Sequence, residues 1–542
     1  MLDFAYIALS STLVPVLRVR GHYGYTDLKN QVFLVLSFLH LAAVLLWEGR
    51  LPFPSGPAAT ALCAYLLLLT FSCAWSDNAE DSIRDLPRWW TLFYFFLVCQ
   101  RVDLVLAVEA VFLPAPFVAT YGLVQQWLGI EPFWQPVREV LKARKKATRL
   151  YSWLGNSNYT AAYLVPCFFA GCYLAASTSL WWIAGLVPVW LAIGWSQCRA
   201  AWLATIFGLV VADMIFLWHP LLMLLGLVAL LAVAMISIQR IEPTIGRYYY
   251  IRTCIRLFKR APLFGWGPRV FRRQYFEEQA RMNEADPEIL GTIRKPGKNT
   301  FPIGKRAHCD HFETLAESGL LGYALFAMFY VSVISGASDV LLLAGVVAGL
   351  TNALFFYSLR TGATALPFFA LCGVLSPASS TLAIPLAYSL VILPLLGYLV
   401  YRLGWIPYRA GLYFWDAQGS EDKATARRLL DRALRLEPNN NMYLSLCSIL
   451  HMPEDPAGAL LAIIRCLHQN DGQKVGWAVL DQLGRLAYMN SAFFLAHQTF
   501  RAAIRLNPSS PMAYEGLKVS AARLREIEQV LQKAAAKQTK KN

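Results

Sequence analysis

Charged residues are scarce in this chain. Of its 542 residues, only 15% are Asp, Glu, Lys or Arg, whereas 57% are hydrophobic. Because soluble domains carry about a quarter charged residues, this shortage excludes an ordinary soluble globular protein. Long stretches almost free of charge alternate with short polar loops, as a hydrocarbon core requires. The composition predicts an all-α, polytopic membrane protein.

Apolar windows of about 17–20 residues predict the membrane spans. They indicate about 12–13 transmembrane helices, near residues 2–17, 31–47, 57–75, 88–100, 103–128, 160–177, 179–196, 200–217, 219–238, 312–335, 339–357, 363–377 and 381–401. The N-terminus lacks a basic flank and a small-residue cleavage site. We therefore expect the first span to be retained rather than cleaved as a signal peptide.

The cysteines and glycines give no sign of a metal or nucleotide site. Most of the 11 cysteines fall inside predicted spans, and their spacing fits neither a zinc ribbon nor a disulfide framework. They are expected to pack as small apolar residues. Gly265 and Gly267 do not form a nucleotide loop, because a membrane chain offers no βαβ unit around them.

Four regions follow along the chain. Residues 1–238 form an N-terminal transmembrane region, 239–311 a large polar loop, 312–403 the C-terminal transmembrane helices, and 408–542 a helical tail.

The tail contains a repeat. In it, Ala433-Leu434-Arg435-Leu436-Glu437-Pro438-Asn439 recurs as Ala503-Ile504-Arg505-Leu506-Asn507-Pro508-Ser509, with a degenerate copy from Ala462 to Asn470. The 70-residue offset is close to two tetratricopeptide periods. The tail is predicted to be a tetratricopeptide-like repeat domain that binds a protein partner, with a plain helical bundle as the alternative.

Positive charge concentrates on one side of the membrane. The large loop 239–311 carries 15 basic and 7 acidic residues, and residues 138–149 carry six basic residues. Four predicted spans separate these segments, so both face the same side, as does the turn Ser196–Arg199. The positive-inside rule would make that side cytoplasmic, but long loops follow the rule poorly. The charge equally suits a site for an anionic substrate.

Four short motifs stand in order between residues 154 and 322. They are Leu154-Gly155-Asn156-Ser157-Asn158-Tyr159; Ser196-Gln197-Cys198-Arg199-Ala200-Ala201-Trp202-Leu203; Arg247 with Pro262-Leu263-Phe264-Gly265-Trp266-Gly267-Pro268 and Phe271; and Ala307-His308-Cys309-Asp310-His311-Phe312-Glu313 with Leu315-Ala316-Glu317-Ser318-Gly319-Leu320-Leu321-Gly322. The set resembles the motifs of the O-antigen ligase and O-antigen polymerase superfamily. Four positions depart from it: Ser157 replaces Pro, Ile251 replaces Trp, Arg269 replaces Gly, and His311 stands where the superfamily often has Tyr.

The resemblance implies a GT-C-like glycosyltransferase of the bacterial inner membrane that is metal-independent, inverting and free of cofactors. It places the large loop and the tail in the periplasm. The implied donor is a glycan linked to undecaprenyl diphosphate, and no nucleic acid is expected as a partner. Three acceptors compete: lipid A core for an O-antigen ligase, which we favour, another glycan for a polymerase, and Ser or Thr of a protein for an O-oligosaccharyltransferase.

The resemblance also implies roles for individual residues. Arg199 and Arg247 are the candidates for a clamp on the leaving diphosphate, which gains negative charge in the transition state. His308 is the candidate general base, because the unperturbed pKa of histidine lies near working pH. The further candidate substrate-binding residues are Asn156, Asn158, Arg252, Arg256, His311 and Glu317.

Several of these residues have alternative interpretations. Arg199 could extend its side chain from a span end to the polar interface, Arg247 could be a solvated charge, and His308 could be structural. Arg252 and Arg256 could share the role of Arg247.

The residues after His308 are equally open. His308 and His311 could be half of a zinc site, although catalytic zinc takes three protein ligands. His311 could instead bind His308 or the acceptor, and Glu317 could orient a ligand or cap its span.

A transporter of lipid-linked glycans is the alternative of another class. The charged residues of a transporter should lie at the bilayer midplane, however, whereas here they cluster at one surface.

Overall fold

The computed structural model describes residues 1–17, 25–48, 50–128, 150–216, 241–285, 306–376, 378, 380–438, 440–451, 455–468, 477–506 and 510–539. The basic stretch 138–149 and the predicted span 219–238 lie outside these residues. Contacts divide the chain into two compact units. The first contains Met1–Phe271 and Arg306–Tyr408, and the second contains Arg272–Lys305 and Arg409–Asn542. The predicted loop 239–311 is therefore divided between the two units.

The first unit is built from helices, most of them apolar. They are α1 (Leu2–Val16), α2 (Tyr25–Glu48), α3 (Pro57–Phe71), α4 (Ala79–Ile83), α5 (Leu86–Cys99), α6 (Leu104–Phe112), α7 (Pro114–Trp127), α8 (Ser157–Ser177), α9 (Trp182–Trp195), α10 (Arg199–Phe216), α11 (Ile241–Arg260), α12 (Val270–Ala285, which begins here), α13 (Asp310–Gly336), α14 (Val340–Phe355), α15 (Gly362–Val374) and α16 (Leu386–Val400). One-turn 3-10 helices at Ser72–Ala74 and Ser358–Arg360 and a π-helical turn at Tyr401–Trp405 complete it.

Five described helical segments are long and apolar enough to cross a membrane. They are Lys29–Glu48, Pro57–Ala74, Leu104–Trp127, Ser157–Ser177 and Asp310–Gly336. Shorter apolar helices occupy four more predicted spans, at Leu2–Val16, Trp182–Trp195, Val340–Phe355 and Gly362–Val374. These segments indicate a helical membrane protein, as the composition predicts.

Two short strands interrupt the helical pattern. β1 (Arg50–Ser55) pairs antiparallel with β2 (Ser380–Pro385), with Arg50 opposite Pro385. The predicted span 381–401 therefore begins as a strand and becomes helical only at Leu386. Prolines at 52, 54 and 385 donate no ladder hydrogen bond, and a two-stranded sheet tolerates them because both strands are edges.

An aromatic cluster joins four helices beneath the residues discussed below. Tyr65 of α3 lies 4.8 Å from Phe326 of α13, ring centre to ring centre, and Trp89 of α5 stands perpendicular to Phe326 at 6.0 Å. Trp89 also meets Phe369 of α15 edge to face at 6.5 Å. Burial of these large rings, with their preferred tilted and edge-to-face geometry, holds the helices together.

The second unit consists of paired helices. They are α17 (Ile406–Gly419, which begins in the first unit), α18 (Lys423–Leu436), α19 (Asn441–His451), α20 (Pro456–His468), α21 (Trp477–Met489), α22 (Phe493–Leu506) and α23 (Pro511–Thr539). Each copy of the sequence repeat covers the end of the second helix in a pair: α18, α20 or α22. The assignment to the tetratricopeptide class stays a prediction.

An ionic contact inside this unit joins the tail to part of the polar loop. Arg505 of α22 lies 3.1 Å from Glu277 and 2.5 Å from Glu284, both on α12. The C-terminal part of α12 is therefore ion-paired with the tail.

Candidate active site

The four motifs meet at one end of the first unit. The starts of α8, α10 and α13 lie there, together with the turn after α14. The Tyr159 hydroxyl, in the first motif, is 2.9 Å from the Tyr357 hydroxyl in that turn. The Tyr357 ring stands perpendicular to the His308 ring at 4.9 Å, which brings in the fourth motif. The second and third motifs meet through Arg199 and Arg247, whose charges act on each other, and the charge of Arg247 also acts on His308.

His308 is held by aromatic rings. Its backbone is left-handed, with φ of 54°, a conformation that costs free energy for a residue with a Cβ. Tyr250 stacks on the imidazole at 5.3 Å with the planes 14° apart, and Phe356 lies 6.1 Å away. Among the described residues none hydrogen-bonds to either ring nitrogen. The ring is therefore fixed in orientation while its nitrogens stay available to a substrate.

The surroundings keep His308 neutral. Burial, followed by the nearby guanidinium of Arg247, lowers the pKa of His308 to about 4. The sequence argument used the unperturbed pKa of histidine, and that value does not apply to His308 inside this site. At neutral pH the imidazole is uncharged and can accept a proton, although a group with so low a pKa is a weak base.

Two arginines approach each other, and one of them, Arg247, lies near His308. Arg199 is the first residue of α10, after a turn in which Gln197 has φ of 56° and the Ser196 hydroxyl accepts the Cys198 N–H at 3.1 Å. Arg247 lies on α11. Burial and then the charge of Arg199 lower the pKa of Arg247. Two neighbouring guanidinium groups repel each other, so an anion between them would be strongly favoured.

Asn156 and Asn158 lie where α8 begins. The Asn156 side-chain oxygen accepts the Asn158 N–H at 2.8 Å and so caps the helix. Next to it, Gly155 has φ of 75°, a conformation that glycine adopts without strain. The structure thus gives Asn156 a structural task at the site's edge, one turn before Tyr159.

Arg252 and Arg256 lie on α11 but away from Arg247. At about 100° per residue they lie about 140° and 180° around the helix from it. Arg252 is exposed, with its guanidinium against the Tyr248 ring at 5.3 Å and in a hydrogen bond to the Tyr248 hydroxyl. The structure therefore does not bring Arg252 together with His308.

His311 points elsewhere. Its Nδ1 is 3.3 Å from the Tyr323 hydroxyl, and its ring is close to Tyr330. Its polar contacts are thus the Tyr323 hydroxyl and the Leu350 backbone rather than His308. Within the described part of the chain, no group of three His, Cys, Asp or Glu residues is placed to hold a metal ion.

The glycines of the third and fourth motifs join two chain segments. α13 breaks at Gly319, whose φ is 65°. The loop Pro262–Pro268 crosses this break: the N–H of Gly267 donates to the Glu317 carbonyl at 2.8 Å, and the N–H of Leu320 donates to the Pro262 carbonyl at 2.7 Å. The loop thus supplies hydrogen-bond partners for backbone groups that lose their helical partners at the break, as a membrane segment requires.

Glu317 supports this junction. Its Oε1 accepts the Arg269 N–H at 2.6 Å, and its Oε2 pairs with Arg360 at 2.6 Å. Arg269, which stands where the family has glycine, keeps the left-handed backbone with φ of 64°. The carboxylate is buried and occupied, so its observed role is to hold the loop rather than to face the cluster around His308.

We predict that Gly265→Ala destabilises the protein, because a Cβ there would clash with the Glu317 backbone carbonyl and the residue has φ of 67°. The left-handed backbone alone costs roughly 1–2 kcal/mol for alanine. Gly194→Ala is the control, since nothing lies within 4 Å of its Cβ position. Thermal unfolding in detergent should show a lower Tm for Gly265→Ala only. Equal Tm values for both variants would contradict the proposed junction.

A buried network of charges lies behind His308. Arg360 pairs with Asp310 at 3.2 Å, Glu313 at 3.3 Å and Glu317. Arg306 links Glu313, at 3.0 Å, to Asp85, at 3.2 Å. Burial would raise the pKa of Asp85, but Arg88 and Arg306 outweigh it and hold that pKa well below its usual range. Such pairs carry a heavy penalty if one partner is removed.

Sequence reasoning missed two members of this region. Arg360 is the single charged residue between Asp339 and Arg402, and a lone charge in such an apolar stretch was the available signal. Tyr357 had no signal, because its contact with His308 depends on how two distant turns meet.

No protein-family model matches the chain, and no curated protein matches it. The likeness to the O-antigen ligase superfamily therefore rests on the four motifs.

Proposed function

We propose that this protein is a membrane glycosyltransferase that moves a glycan from undecaprenyl diphosphate to an acceptor hydroxyl. The observation that carries the proposal is the closeness of Arg247 to both Arg199 and His308, three residues that three separate motifs contribute. Two guanidinium groups suit a diphosphate. A neutral imidazole with available nitrogens suits an acceptor hydroxyl. The bacterial inner membrane, with this site on the periplasmic side, is the location that goes with such a donor.

The reaction needs few groups. The acceptor oxygen attacks the anomeric carbon while the bond from that carbon to the diphosphate oxygen breaks, which inverts the configuration. The diphosphate leaves with the electron pair, and the charge that grows on it is stabilised by Arg199 and Arg247. The hydroxyl proton passes to His308. Because the bound diphosphate offsets the charge of Arg247, donor binding also makes His308 more basic.

We predict a specific pH dependence from this arrangement. Since the pKa of His308 is lowered to about 4 in the free protein, kcat/KM should stay flat down to about pH 5 and fall only near pH 4. Undecaprenyl diphosphate should raise the pKa of His308 towards 6.5. Mass-spectrometric histidine hydrogen–deuterium exchange in nanodiscs reports each value separately. An unchanged pKa on binding would count against contact between diphosphate and the Arg247–His308 pair.

The acceptor is proposed to be lipid A core, as for an O-antigen ligase. The shared donor chemistry supports a glycan or protein acceptor equally well. Purified protein in nanodiscs should be given one lipid-linked glycan with lipid A core, with a second lipid-linked glycan, or with a Ser/Thr-rich peptide. The acceptor that becomes glycosylated identifies the enzyme within the superfamily.

The same preparation tests the transporter class. In proteoliposomes, a transporter would move the lipid-linked glycan between leaflets and leave its diphosphate bond intact. Translocation without bond cleavage, with all three acceptors present, would overturn the proposed transferase.

A further inference from the structure

Glu313 holds the two residues that precede His308. One carboxylate oxygen, Oε2, accepts the Ala307 N–H at 2.8 Å, and the other, Oε1, accepts from Arg306 at 3.0 Å. Arg306 is anchored at its other end by Asp85, 3.2 Å away. Since the His308 backbone is left-handed and disfavoured by itself, these contacts supply a force that keeps the chain in that shape.

The residues after His308 are fixed to the turn that carries Tyr357. The Asp310 Oδ2 accepts the Leu359 N–H at 2.9 Å, and Oδ1 pairs with Arg360 at 3.2 Å. Arg360 also pairs with Glu313 at 3.3 Å. Contacts made by the residues before and after His308 thereby fix the position of the imidazole relative to the Tyr357 ring.

We propose that Glu313 is a positioning residue for His308. It acts on the backbone before the histidine rather than on a substrate, and it sets where the imidazole lies between Tyr250 and Tyr357. The kinetic part of this inference rests on the proposed transferase function. The part that concerns the place of the imidazole does not.

Glu317 provides a matched comparison. It lies on the same helix, its side chain is equally buried, and it pairs with the same Arg360. Its second oxygen, however, holds the Arg269 N–H rather than the chain before His308. Loss of either charge should destabilise the buried network. Only the loss of Glu313 should also release His308.

The experiment compares wild type with Glu313→Gln, Glu313→Asp and Glu317→Gln in nanodiscs. Histidine hydrogen–deuterium exchange gives the pKa of His308 in each, and thermal unfolding gives the stability. In Glu313→Gln we expect the pKa of His308 to rise, because release from burial removes the largest cause of its depression. Loss of the Glu313 charge without movement would lower it instead, so the sign separates the two effects.

Turnover supplies the second readout. Glu313→Gln should lower kcat by about 100-fold with little change in KM for the donor, because displacing a catalytic group by about 1 Å costs that much. Glu313→Asp keeps the charge but is too short to hold Ala307, so it should rescue little. Glu317→Gln should lower the Tm without moving the pKa of His308.

Each outcome decides the matter. The inference is overturned if the pKa of His308 falls or stays in Glu313→Gln, or if Glu317→Gln moves it in the same way. If wild type transfers no glycan but the pKa of His308 still rises in Glu313→Gln, the transferase is refuted while the positioning role stays intact. Activity that tracks Tm across all the variants would make Glu313 merely structural.

Discussion

Replacement of His308 by alanine should abolish nearly all glycan transfer while leaving donor binding almost unchanged. A general base contributes about 100- to 10,000-fold to the rate, and the loss should appear in kcat. Donor affinity should persist because Arg199 and Arg247, which face the diphosphate in the proposed site, are untouched. Single-turnover release of undecaprenyl diphosphate measures the rate, and binding of labelled donor measures affinity.

His311→Ala is the control for this prediction. His311 belongs to the same motif, three residues further on, but contacts Tyr323. It should retain most of the activity if His308 alone serves as the base. A His308→Ala protein that transfers glycan at the wild-type rate would leave His308 with the structural role that its aromatic surroundings also permit.

Arg247→Ala should have the second large effect. Because its charge stabilises the diphosphate both when bound and as it leaves, kcat/KM should fall by about 100- to 1,000-fold. Arg247→Lys should recover only part of this, since an ammonium group lacks the planar fork that grips phosphate. The assay is again acceptor-dependent release, together with donor titration.

The same helix supplies the matched control. Arg252→Ala removes an equal charge from α11, but its side chain is exposed and lies against Tyr248. Its kcat/KM should therefore stay near that of wild type. Equal losses for Arg247→Ala and Arg252→Ala would mean that only the overall positive field of the loop matters.

Hydropathy indicated where the apolar helices lie, because a long apolar run is stable only where it is shielded from water. Five runs form helices of spanning length and four more form shorter apolar helices. The strand at Ser380–Pro385 was not foreseen, because its pairing with β1 depends on a segment more than 300 residues away. The break of α13 at Gly319 was equally hidden, since its reason is the crossing loop Pro262–Pro268.

The site was predicted in part. Motif order and membrane side grouped Arg199, Arg247 and His308, and the structure places Arg247 within electrostatic reach of each of the other two. Counting helical turns grouped Arg252 and Arg256 with Arg247, but steps of five and nine residues rotate a side chain well away from the starting face. Tyr357 and Arg360 lie in a turn that comes close to His308 only through tertiary packing, which the sequence pattern does not reveal.

The measurement that tests the central claim most directly is release of undecaprenyl diphosphate from a lipid-linked glycan by the purified wild-type protein, with and without acceptor. The proposed function predicts release that requires an acceptor hydroxyl and yields a glycosylated product of inverted configuration. Binding of the donor without release, for every acceptor supplied, would contradict it.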